Sequence, residues 1–66
     1  MRFNENDKVK VILSEFVEIF KEKNKWIIDH IRTQVNKYPS LYICYNYYDN
    51  FRTLYFFTEE QVEKID

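Results

Sequence analysis

Apolar side chains recur at spacings of three and four through the first third of the chain: Val9, Ile12, Leu13, Phe16, Val17 and Phe20. On an α-helix they share one stripe, which predicts a helix over about residues 7–22 with Asn6 or Asp7 as its N-cap. Ile19 lies at the edge of that stripe and Val11 nearly opposite it. The alternation Lys8-Val9-Lys10-Val11 favours a strand instead. It fails at Ile12-Leu13, whereas the helical pattern continues to Phe20. After a polar stretch from Lys21 to Lys25, a second run (Ile27, Ile28, Ile31, Val35, Tyr38) predicts a helix over about residues 25–38, capped by Asn24. Pro39 has no N–H and restricts Tyr38, so it ends that helix. The short link makes the two helices an αα-hairpin, or a single bent helix as the alternative.

The next two runs have a different character. Residues 41–48 and 51–57 are rich in aromatic and β-branched side chains and read as two strands joined at Asp49-Asn50. With a two- or four-residue loop, Leu41, Ile43, Tyr45, Tyr47, Arg52, Leu54 and Phe56 share one face. Tyr42, Cys44, Asn46, Tyr48, Phe51, Thr53, Tyr55 and Phe57 then share the other. A three-residue loop would exchange the second strand's faces. Thr58 followed by Gln61 fits a capping box that starts a short helix over about residues 59–65, with Val62 and Ile65 on its apolar side. The expected fold is therefore α+β in the order α-α-β-β-α. A two-helix hairpin packs on a two-stranded antiparallel β-hairpin, a short C-terminal helix follows, and residues 1–66 form a single domain.

That arrangement leaves a surplus. If the helices cover the Leu41–Ile43 face, then Tyr42, Tyr48, Phe51, Tyr55 and Phe57 remain on the other, more ring surface than one short helix hides. These five are the candidate interface residues. Trp26 and His30, four apart and off the helical stripe, form an independent candidate surface, since Trp is enriched at binding hot spots. The competing structural readings are a satellite core under the last helix and a Trp26 that seals the helix-helix link.

Composition narrows the classes. A 66-residue chain leaves much of its surface exposed and gains from a partner that completes its core. Gly is absent, and half the residues are Phe, Tyr, Met, Ile, Asn or Lys, a bias of AT-rich coding that points to a low-GC bacterium or one of its phages. Ten basic and eleven acidic residues give a net charge of −1, against the basic footprint of nucleic-acid binders. Cys44 is the single cysteine, so no internal disulfide is possible. The first residues make no secretory signal and no apolar run is long enough to span a membrane, which predicts a cytoplasmic protein.

Catalytic and metal chemistry find no motif. His30 and Cys44 are single residues without ligand-pair spacing, and Asp29 and His30 would point about 100° apart on a helix. Without glycine there is no phosphate-cradling loop. No cofactor, metal, membrane or small-molecule substrate is expected, and the chain is not expected to be an enzyme. The expectation is a protein–protein interaction module, a small regulator or inhibitor of phage type, with another protein or a second copy of itself (a homodimer) as partner. The alternatives are stacking on single-stranded nucleic acid, helped by Lys21, Lys23 and Lys25, and a small homodimeric structural protein.

Overall fold

In the computed structural model, which describes residues 3–13, 17–18 and 20–65, the chain forms one five-stranded antiparallel sheet. The strands are β1 (Lys8–Val11), β2 (Trp26–Val35), β3 (Tyr38–Asn46), β4 (Leu54–Thr58) and β5 (Val62–Lys64), with a 3-10 turn at Glu59–Gln61. The order across the sheet is β4-β3-β2-β1-β5. Four strands follow one another as a meander, and the 3-10 turn carries the chain back so that β5 pairs with β1. The α-α-β-β-α arrangement is thereby corrected: no α-helix occurs among the described residues.

The reasons are visible strand by strand. Lys8-Val9-Lys10-Val11 alternates exposed and buried, and β1 ends where that alternation ends; Val11 is a core residue, contrary to its helical placement. Of the remaining predicted stripe, Val17 and Phe20 fold over the core from the β1–β2 connection, while Phe16 and Ile19 lie outside the described residues. The spacing that resembled a second helix comes from a β-bulge. Ile28 pairs with Cys44 and His30 with Ile43, leaving Asp29 as an extra residue on β2. The inward positions on β2 are consequently Trp26, Ile28 and Ile31, and the step of three from Ile28 to Ile31 mimics helical periodicity.

Pro39 does not end a helix. It sits within β3, where the ladder pairs Thr33 with Ser40 and Val35 with Tyr38 but skips Gln34 and Pro39, as a residue without an N–H requires. With no glycine available, left-handed backbone falls to Asn6 (φ 71°), Asn36 (φ 53°), Gln34 (φ 54°) and Arg52 (φ 51°). Asn tolerates that region best among the four. The Thr58–Gln61 signal holds locally, since the Thr58 N–H donates to Gln61 Oε1 at 2.9 Å. The turn it starts stops after Gln61, and Val62–Lys64 continue as a strand in place of the predicted terminal helix.

The core lies on one face of the curled sheet. Phe3, Val9, Val11, Trp26, Ile28, Tyr42, Cys44, Phe57 and Val62 form one buried cluster, with Val17, Phe20, Ile31 and Tyr55 packed against it. A flat five-stranded sheet would hold its edge strands about 19 Å apart. Thr58 ends β4 and Val62 begins β5 four residues later, a reach of at most about 14 Å, so the sheet curls to bring its two edges together. Trp26 is the hub: its ring lies 5.1 Å from Tyr55, 5.1 Å from Phe57 and 4.9 Å from Phe20, all edge-on. Edge-on geometry is one of the two arrangements the ring quadrupoles favour.

Two asparagines anchor the long β1–β2 connection. Asn24 Oδ1 accepts from the Val11 N–H at 2.8 Å while Asn24 Nδ2 donates to the Val11 carbonyl at 2.8 Å, so the side chain extends the β1–β2 ladder by one rung. The same Oδ1 accepts from Trp26 Nε1 at 3.0 Å. Asn46 is buried; its Nδ2 donates to the Lys23 carbonyl and its Oδ1 accepts from the Tyr48 N–H. Asn24 is thus a strand-closing residue and not a helix cap.

Candidate functional site

The β3–β4 hairpin has two apolar faces. Cα partners Tyr42–Phe57 and Cys44–Tyr55 point into the core. Cα partners Ile43–Phe56, Tyr45–Leu54 and Leu41–Thr58 point outward. The division of residues between faces therefore follows the odd-with-even pairing expected for a short loop, although the connection spans residues 47–53. The side that is buried is the reverse of the expected one.

This inversion relocates the candidate residues. Trp26, Tyr42 and Phe57 are fully buried, and Tyr55 is half-buried among Phe20, Trp26 and Phe57, so these four build the core. Tyr48 and Phe51 are exposed in the β3–β4 loop, Phe51 at 93%. His30 lies on the outer face beside Ile43. The structure does not bring the seven residues together on one surface.

What the outer face carries instead was missed from the sequence. Phe56 is 64% exposed and Leu54 is 47% exposed. They stand in rows with Ile43, which is buried beneath its neighbours, and with the partly exposed Tyr45 and Leu41. Arg32, Asn36, Leu41, Ile43 and Phe56 line a shallow pocket of about 250 Å³. At the other end of the rows Arg52 lies over the Tyr45 ring at 4.8 Å. An apolar patch rimmed by arginine matches the composition of protein-binding hot spots. Reading residues 26–35 as a bulged strand would have revealed it, because the Ile28–Cys44 pairing fixes the inner face of β3 and so the outer face as well.

The loop after β3 is shaped by Asp49. Its Oδ1 accepts from the Phe51 N–H at 2.9 Å and its Oδ2 from the Thr53 N–H at 2.8 Å. These two amides hold the carboxyl below its ordinary pKa. The clamp presents Phe51 to solvent beside Tyr47 and Tyr48, whose rings meet edge-on at 5.3 Å. Lys25 Nζ sits 4.5 Å from the centre of the Tyr47 ring and Lys8 Nζ 5.7 Å from it. Phe20, Lys23, Asn46, Tyr48, Asp49 and Tyr55 line a second open pocket of about 230 Å³.

Neither single reactive residue is placed for chemistry. Cys44 faces the core, where burial first and the charge of Asp29 second push its thiol pKa up to about 12. His30 is on the opposite face of the sheet, so the two form no dyad. The bulge does bring His30 Nδ1 within 2.7 Å of Asp29 Oδ2, a contact that helical geometry would have kept apart. Among the described residues no group of three His, Cys, Asp or Glu side chains is placed to hold a metal ion. No helix among them is long and apolar enough to cross a membrane.

Compared with known protein families, curated proteins and solved structures, the chain matches none.

Proposed function

We propose that this chain is a small non-catalytic protein-binding module whose contact surface is the outer face of the β3–β4 hairpin. The observation that carries the reading is Phe56, a large apolar ring left 64% exposed in the row beside buried Ile43, on an edge strand without a charged residue. Burying such a ring against a partner removes apolar area from water at about 25 cal/mol per Å², the dominant favourable term in association. Leu54 and Leu41 enlarge the patch, and Arg32 and Arg52 supply its polar rim. A regulator or inhibitor that occludes another protein is the role such a patch suits.

The test compares the parent chain with Phe56→Asp and Phe51→Ser. Self-association is read by light scattering, and partner capture is read from extracts of the source cell. The proposal expects at least one of these activities in the parent, its loss in Phe56→Asp with the fold intact by circular dichroism, and its retention in Phe51→Ser. Binding that survives Phe56→Asp in a folded protein overturns it.

A second reading rests on the other exposed rings. Lys8 and Lys25 lie over the Tyr47 ring, Lys23 lines a pocket with Tyr48, and Phe51 is exposed in the same loop, which supports stacking on single-stranded nucleic acid. It predicts salt-sensitive oligonucleotide binding that falls when Lys25 and Tyr48 are replaced. Absence of a fluorescence change on titration with oligonucleotides at low salt overturns it.

A further inference from the structure

The geometry points to a specific occupant for the patch: a second copy of this chain, joined edge to edge through an antiparallel β4–β4 pair centred on Phe56. This rests on the reading of the Phe56 face as a contact surface and goes beyond it by naming the partner and the register.

The open edge follows from the ladder. Tyr47 N–H donates to the Lys25 carbonyl of the β2 side at 2.7 Å, so the odd-numbered residues of β3 direct their polar backbone groups toward β2. Even-numbered Tyr42 and Cys44 then bond β4 through Phe57 and Tyr55. Alternation turns the backbone groups of Leu54, Phe56 and Thr58 away from β3, to the outside of the sheet. Thr58 fits independently, since its N–H is taken by Gln61 Oε1 and not by β3. Among the described residues no backbone bond from beyond β3 reaches Leu54 or Phe56.

Edge strands are normally protected by charge, proline or a bulge. The sequence of β4, Leu-Tyr-Phe-Phe-Thr, has neither charge nor proline, and its register with β3 has no shift. The opposite edge, β5, is only three residues long and carries Glu63 and Lys64. Only the β4 edge is left open to pairing.

Charge sets the direction. Arg52 and Glu60 each stand four residues from Phe56, on opposite sides of it. Arg52 precedes β4 and Glu60 follows it, so a two-fold antiparallel pair brings the Arg52 end of each strand to the Glu60 end of the other, whereas a parallel pair would set like charge against like. In the same register Phe56 meets Phe56, with reciprocal N–H to carbonyl bonds at the centre of the pair. The outer-face rings of the two copies then form one continuous row. The strand is short, and specific interfaces bury about 1,200–2,000 Å². The expected dimer is therefore weak and concentration-dependent.

Sedimentation equilibrium of the full chain from about 1 µM to 1 mM tests this. The parent should pass from monomer to dimer. Phe56→Asp should be monomeric throughout while keeping its circular dichroism spectrum. Arg52→Glu and Glu60→Arg alone should each weaken the dimer by about two- to thirty-fold, through two symmetric rim pairs. The double exchange Arg52→Glu with Glu60→Arg should restore it. A parent that stays monomeric at 1 mM, a dimer untouched by Phe56→Asp, or single charge variants that the double exchange does not rescue each overturn the inference. A monomeric parent that still captures another protein through Phe56 leaves the binding-module reading standing and removes only the second copy.

Discussion

The two faces of the β3–β4 hairpin make an instructive pair. One carries Tyr42, Cys44, Tyr55 and Phe57; the other carries Leu41, Ile43, Tyr45, Leu54 and Phe56. In composition they are nearly equivalent, and hydropathy alone gives no reason to bury either one. The difference lies in what the rest of the chain supplies to cover them. Trp26, Ile28 and Phe20 come from β2 and the β1–β2 connection, Val9, Val11 and Val62 from β1 and β5, and all pack on the Tyr42–Phe57 side. On the Phe56 side β2 offers Ile27, Asp29, His30 and Arg32, and a single apolar residue among them cannot complete a core. A strand's buried face is therefore chosen by its neighbours, and an apolar face without such neighbours remains exposed.

The sharpest way to break that contrast is at its hub. Trp26→Ala removes the ring that joins Tyr55, Phe57 and Phe20, at a cost of about 3–5 kcal/mol. A chain of this length has roughly 3–10 kcal/mol in total. Loss of cooperative thermal unfolding, followed by near-UV circular dichroism, is the expected outcome. Next in size is Asn24→Ala, which leaves both polar groups of Val11 and the Trp26 indole N–H without their partner. A loss of about 1–3 kcal/mol in urea denaturation is expected. Asn24→Asp should be nearly as damaging, because its carboxylate cannot donate to the Val11 carbonyl.

On the other face, Phe56→Ser should change unfolding free energy by less than about 0.5 kcal/mol, as for an ordinary surface position. Phe57→Ser, one residue along, should cost about as much as an aromatic-to-alanine core change, roughly 3–5 kcal/mol. Thermal melts of the two at the same low concentration decide between an inner Phe57 and an inner Phe56.

The smallest effect concerns pH. Asp49 has a depressed pKa in the folded state, so its clamp contributes stability at neutral pH. That contribution declines as pH falls below the ordinary carboxylate value and is gone below the folded one. Asp49→Asn should melt below the parent at pH 7, with the gap closing toward pH 2. A gap that is constant with pH would mean the carboxylate charge is irrelevant to the loop. Cys44 gives a chemical check of the inner face: its buried thiol should resist alkylation in the native protein and react only as fast as the sheet opens.

Some of this architecture was legible in the sequence and some was disguised. The β3 and β4 strands, the pairing of odd with even positions and the Thr58–Gln61 cap all follow from local chemistry, because each depends on residues close together in the chain. The helices did not materialise, for two separate reasons. Along residues 9–20 the apolar spacing combined one inward strand position, Val9, with exposed Ile12 and Leu13 and with loop residues Val17 and Phe20 that reach the core by a different path, while Val11, off the stripe, is inward on β1. Along residues 26–35 the bulge at Asp29 inserted one residue into a period of two and produced a step of three. A bulge is fixed by the partner strand, so it is invisible until β3 is known. The displaced candidate site follows from the same cause: with two helices supposed above the Leu41–Ile43 face, Tyr42 and Phe57 were left outside. The β-branched and aromatic content of Trp-Ile-Ile-Asp-His-Ile-Arg-Thr-Gln-Val was the local signal that favoured a strand.

Backbone hydrogen exchange at Phe56 and Phe57, followed against protein concentration, tests the central claim most directly. The Phe57 N–H, paired with β3, should be protected at every concentration. The Phe56 N–H should exchange rapidly in dilute solution and become protected as the protein is concentrated toward 1 mM, on the order of the weak association expected for a short strand pair. A Phe56 amide already protected in dilute solution beside an unprotected Phe57 would contradict the assignment of inner face and open edge.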